Sequence, residues 1–196
     1  MLAKTLNAWR PYVLALKSFY KLHNLDSPGA FEDWDIYWLA ALTATRSVWD
    51  TVQKDLKGSP LRQSIFEDYN NGPAKWEIHQ SFTREQRHKT LHEWTWDIVP
   101  NETTGYKWLE GKFVGNFTNL VFKYPTTPDE TCNVHEDLQG DDPLRLLGIA
   151  LTFLHRDLSV IELAIKSEIF NPFSQGNSEK LYVESGLISQ APDYYR

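Results

Sequence analysis

The segment that begins at Asp142-Pro143 constrains the fold most tightly. Leu144, Leu147, Leu151, Leu154, Leu158, Ile161 and Ile165 recur three or four residues apart over six turns. That period matches one side of an α-helix and no strand. An acid followed by proline at the first turn is a helix start, and Asn171-Pro172 is a stop. The spacing predicts a helix from Pro143 to about Phe170. A helix this apolar must bury its stripe against other helices, so the chain is expected to be a bundle.

The first half supplies those partners. Leu2, Leu6, Trp9, Val13, Leu16, Tyr20 and His23 fall on one helical face, with His23 as a core or boundary residue. Pro11 means that this helix either kinks there or starts near Arg10. Asn24–Gly29 is a breaker. A second helix is expected from Ala30 to Lys57, with Trp34, Ile36, Trp38, Leu39, Leu42, Val48 and Val52 as its core candidates and Gly58 as its stop. Ser59-Pro60 opens a shorter third helix to about Tyr69, ended by Asn70–Pro73. Ala74–Trp94 reads as a polar helix in which Trp76, Phe82 and Leu91 stand out.

The period then shortens. Trp96–Val99, Tyr106–Leu109 and Lys112–Tyr124 are β-prone, with turn residues at Pro100-Asn101 and Thr104-Gly105. Two or three antiparallel strands are expected. Pro125–Asp142 reads as an acidic loop, and the polar tail from Ser174 carries one strand-like piece, Lys180–Val183. The expected fold class is therefore mainly α: one domain over residues 1–196, an antiparallel bundle with a small β insertion at 95–125 before the last long helix.

The chain has 196 residues, a formal net charge of −6 and a single cysteine, Cys132. One cysteine excludes an internal disulfide framework and suits a reducing compartment. Ile36–Leu42 is too short an apolar run to span a bilayer, so no membrane contact is expected. Lys4, Arg10, Lys17 and Lys21 could imitate a transit peptide. The segment lacks serine richness, however, and its apolar spacing reads as a structural helix. With no signal-peptide pattern a cytoplasmic location is expected, and the Asn-x-Thr triplets at Asn101 and Asn116 read as accidental. The first 98 residues are neutral and the remainder carries the whole deficit, so any phosphate contact belongs to local clusters in the first half.

The polar helix contains Arg84-Glu85-Gln86-Arg87-His88-Lys89-Thr90-Leu91-His92. Five residues separate Arg87 from His92, about 140° beyond a full turn, so the two flank a broad face. The hexad Arg87–His92 resembles the Arg-x4-His signature of the HEPN superfamily, with the polar residue after the arginine filled by His88. The run Asp35–Val48, aromatic, alanine-rich and ending in Arg46-Ser47-Val48, is similar to the helix that precedes the motif in such proteins. The order of helices also fits.

The resemblance implies a metal-independent endoribonuclease without cofactor, of a toxin or phage-defence type. His92 would act as general base or acid and Arg87 as the phosphate and transition-state contact. His88 would orient, while Arg84 and Lys89 would hold backbone phosphates. It further implies RNA as substrate, 2′,3′-cyclic phosphate ends, a homodimer that joins two motifs, and an antitoxin or regulatory partner. The chemistry is coherent: imidazole titrates near neutrality, and a guanidinium can hold a phosphorane bidentately. Trp94 stands where some family toxins carry a modified tyrosine, and it could instead stack on a base.

Other readings compete. His88-x3-His92 with Cys132-x2-His135 and Glu93 could suggest zinc, but Lys89 occupies the position where a zinc-protease motif needs glutamate. Glu136-Asp137 and Asp141-Asp142 lack calcium-loop spacing. Arg46 fits an ion pair with Glu77 or Glu85. A non-catalytic helical module that binds a nucleotide or a partner protein is the alternative from another class.

Overall fold

The computed structural model describes residues 6–23, 31–71, 82–83, 85–88, 98–109, 112–122, 139–169, 172 and 177. Among them are helices α1 (Trp9–His23), α2 (Phe31–Asp55), α3 (Leu61–Asn71), α4 (Glu85–His88) and α5 (Pro143–Ser167). Strands β1 (Ile98–Leu109) and β2 (Lys112–Phe122) lie between α4 and α5. The described chain is mostly helical, and none of its helices is long and apolar enough to cross a membrane.

Helix α5 is the spine. Asp142 caps it: its Oδ1 accepts from the backbone N–H of Leu144 at 2.8 Å and of Arg145 at 3.3 Å, with Pro143 in the first turn. The helix ends at Ser167, a turn before Asn171-Pro172, where Glu168 turns left-handed at φ 55° and Ile169 donates to the Ala164 carbonyl. Its buried surface is wider than the leucine stripe. Leu147, Leu151, Leu154, Leu158 and Ile161 are buried, and so are Leu146, Phe153, Asp157, Val160 and Ala164, while Leu144 and Ile165 are only half-buried. A helix buried on about half its circumference lies between neighbours rather than on top of one.

Helix α1 starts at Trp9, which leaves Pro11 in the first turn, where its missing N–H costs nothing. Its buried face differs from the expected one. Ala8, Tyr12, Ala15, Ser18 and Leu22 face inward, whereas Val13 and Tyr20 are 44% and 57% exposed and His23 is exposed. The stripe is rotated by one residue, about 100°. Ala8, Ala15 and Ser18 allow close helix approach, and the larger residues of the neighbouring stripe fall at or beyond the rim of the contact. Helix α2 shows the same preference. Trp34, Trp38, Leu42, Val48 and Val52 are buried as expected, together with Ala41, Ala44, Thr45 and Trp49, but Ile36 is 62% exposed.

The first turn of α1 contains no acid of its own. Two carboxylates from elsewhere complement it. Glu162 of α5 accepts from the N–H of Leu6 and from Trp9 Nε1, each at 2.8 Å. Asp55 at the end of α2 accepts from the Ala8 N–H at 3.0 Å and from Asn7 Nδ2 at 2.9 Å. Both place negative charge at the positive end of the helix dipole and tie three helices together. Glu162→Ala would leave the Trp9 and Leu6 donors without their acceptor and is expected to cost about 1–3 kcal/mol in a urea titration.

Ser59 caps α3, accepting the Leu61 N–H at 3.2 Å on its hydroxyl and the Arg62 N–H at 3.1 Å on its carbonyl. Strands β1 and β2 form an antiparallel hairpin with Leu109 opposite Lys112 and Ile98 opposite Phe122. Pro100 lies within β1, paired with Leu120, rather than in a turn. A two-stranded sheet has only edges, where a residue without an N–H is tolerated. Thr104-Gly105 is likewise no turn: the register shifts between Thr103 and Tyr106, so these residues form a bulge opposite Asn116. The hairpin is anchored at its base. Phe122 is fully buried, donates to the Asp141 carbonyl at 2.9 Å and accepts from the Gly140 N–H at 3.0 Å, directly before α5.

Candidate functional site

The segment that carries Arg87 is held through aromatic packing. Trp34 stacks on Trp38 at 5.1 Å, Trp38 meets Phe82 at 6.2 Å, and Phe82 meets Phe122 edge-on at 5.9 Å. Phe82 therefore joins α2 to the base of the hairpin, and it is completely buried. Phe82 and Thr83 lie in a π-type turn. Widened turns of this kind recur where a helix must redirect side chains at a functional position.

Helix α4 follows and packs against α2. Its residues rotate outward in sequence: Gln86 is buried, Arg87 half-buried and His88 exposed. The Arg87 Nε is buried and meets no hydrogen-bond partner among the described residues. An N–H sealed from water without an acceptor costs about 1–3 kcal/mol, and such groups call for an explanation. Lysine could not create this arrangement, because only guanidinium carries a donor partway down the side chain.

Of the residues expected at the site, Arg87 and His88 are described, adjacent on α4. Arg84, Lys89, His92 and Trp94 lie outside the described residues, as does most of the expected helix over 74–94, including Trp76 and Leu91. Arg46 approaches Asp50 at 3.6 Å, one turn along its own helix. That partner stands at i,i+4 spacing, and the side chain of Glu85 lies outside the described residues. Glu77 lies outside the described residues.

Among the described residues no group of three or more His, Cys, Asp and Glu side chains could hold a metal ion. Of the zinc candidates, His92, Glu93, Cys132 and His135 lie outside the described residues, and so do Glu136-Asp137 and Lys180–Val183. His155, which no motif singled out, packs its ring against Trp9 at 5.3 Å and Tyr12 at 5.7 Å between α5 and α1. It is part of a helix contact.

Among the described residues Asp157 is a buried acid that no sequence motif singles out. It is 1% exposed on α5, with Arg156 Nε at 3.6 Å from its Oδ1. The leucine stripe masks it: Asp157 sits on the second buried side of α5, which only the packing of further elements defines. Comparison with protein families, curated proteins and solved structures gives no significant match.

Proposed function

We propose that the chain is a metal-independent endoribonuclease of the HEPN type, with Arg87 and His92 as its working pair. The observation that carries this reading is the buried Nε of Arg87, without a partner among the described residues, on a helix whose next residue, His88, is exposed. A guanidinium fixed by packing, with a donor lacking an acceptor, is suited to a phosphate oxygen that arrives with the substrate. The family resemblance supplies the rest of the assignment. His92 removes the proton of the ribose 2′-OH or delivers one to the leaving 5′-oxygen. His88 orients the pair, and Arg84 and Lys89 hold flanking phosphates. Trp94 offers a ring to a base. Two copies of the chain bring two motifs together, which concentrates positive charge that the acidic chain otherwise lacks. A toxin or phage-defence role, with an antitoxin or regulatory partner in the cytoplasm, accords with such an activity.

The test is direct. Purified protein incubated with RNA in the presence of a chelator should cleave it, and His92→Ala should not. RNA left intact by the parent would favour the non-catalytic helical module that binds a nucleotide or partner protein, and RNA cut equally by the variant would overturn the assignment of His92.

A further inference from the structure

The corner between α2 and α3 gathers charge that the motif does not use. Asp50, Gln53, Lys54, Lys57 and Arg62 line an open cleft of about 430 Å³. Gln53 and Arg62 are shared with an adjoining open cleft of about 910 Å³, whose walls include Ser59, Gln63 and Phe66. Lys54, Lys57 and Arg62 are all exposed, and no salt bridge engages them among the described residues. Two acids face the same space, and both are occupied. Asp50 lies 3.6 Å from Arg46, and Glu67 accepts from Gln63 Nε2 at 2.8 Å.

The carbonyls of Val52, Lys54 and Leu56, which would present the negative end of α2, accept from the N–H groups of Leu56, Lys57 and Ser59. Three cationic side chains against two carboxylates leave the side chains of this corner with a positive balance, in a chain whose net charge is −6. Phe66 adds a different property. It is half-buried and packed against the core, which fixes its ring in place at the wall of the larger cleft.

Separate point charges, an anchored aromatic ring and two open, connected clefts suit a strand that passes through better than an enclosed small molecule. We propose that this corner is a docking site for the phosphodiester backbone of single-stranded RNA. Lys54, Lys57 and Arg62 contact phosphates, and Phe66 offers a stacking face to one base. The identity of the polymer rests on the ribonuclease reading; the site itself rests on the geometry of the corner. Lys54 lies about 24 Å from Trp38 along α2 at the helical rise per residue, and Trp38 is where Phe82 packs. The corner would thus hold RNA at a distance from the motif, as an anchor.

Fluorescence anisotropy with a labelled 20-nucleotide oligouridylate tests this, using the full chain carrying His92→Ala so that the probe stays intact. Affinity is measured against salt concentration. The triple variant Lys54→Gln/Lys57→Gln/Arg62→Gln should lower the log–log salt slope by about 2, the loss of three single-strand phosphate contacts. Arg10→Gln/Lys17→Gln/Lys21→Gln removes the same charge from exposed positions on α1 and should leave the slope unchanged. Equal losses in both variants, an unchanged slope in the first, or no binding by the unsubstituted corner would overturn the proposal. Cleft-dependent binding by a chain that never cleaves RNA would overturn the ribonuclease reading and leave the docking site standing.

Discussion

Leu154→Ala should be among the most destabilising single substitutions in this chain. Leu154 is fully buried in the centre of α5, within the cluster that joins α1, α2, α3, Phe82 and Phe122. Truncation removes apolar contacts and leaves a cavity that rigid neighbouring helices cannot close, a loss of about 2–5 kcal/mol. In a chain of this size that lowers the melting temperature by roughly 10 °C. Ile36→Ala removes a side chain of the same size from a helix that is just as long. Because Ile36 is 62% exposed, that change should stay within about 0.5 kcal/mol. Thermal melts of the two variants side by side check which faces of α2 and α5 hold the bundle together. Equal shifts would contradict the assigned core.

The second large effect concerns Arg87. Arg87→Ala should lower the RNA cleavage rate by at least about 10²-fold, the scale on which one positioned transition-state donor acts. The fold should survive, since the substitution also removes a buried N–H that lacks an acceptor among the described residues. Arg87→Lys keeps the charge but loses the Nε donor and the planar fork, so it should recover only a small part of the rate. Full activity in the lysine variant would mean that charge alone suffices, and the argument from the buried Nε would fall. Single-turnover cleavage, with circular dichroism to verify folding, separates these outcomes.

The helices were legible in the sequence wherever local chemistry sets them. Asp142-Pro143 and Ser59-Pro60 act as starts because a side-chain oxygen and a proline satisfy the first turn without help from the rest of the chain. The faces were less legible. On α1 the eye follows Val13, Leu16 and Tyr20, yet close packing selects Ala8, Tyr12, Ala15 and Ser18, because interhelical distance rewards small residues that hydropathy ignores. The caps on α1 were invisible for a different reason. Glu162 and Asp55 lie far from it in sequence, and only folding brings them to its first turn. Pro100 and Thr104-Gly105 read as turns because turn residues also serve edge strands and bulges, and register decides between the two.

At the site, the motif spacing singled out Arg87. No spacing rule could reveal that its Nε is shielded, since that depends on α4 packing against α2. Nor does the sequence announce the α2–α3 corner. Lys54, Lys57 and Arg62 are unremarkable along the chain and become a cluster only because Gly58-Ser59-Pro60 folds one helix end back beside the next helix start.

The central claim is that Arg87 and His92 cleave RNA through its own 2′-hydroxyl. It is tested most directly by the chemistry of the ends formed in the presence of a chelator. The account predicts 2′,3′-cyclic phosphate and 5′-hydroxyl ends, with a DNA strand of the same sequence left intact. Cleavage that requires a divalent metal, or that leaves 3′-hydroxyl and 5′-phosphate ends, would contradict it.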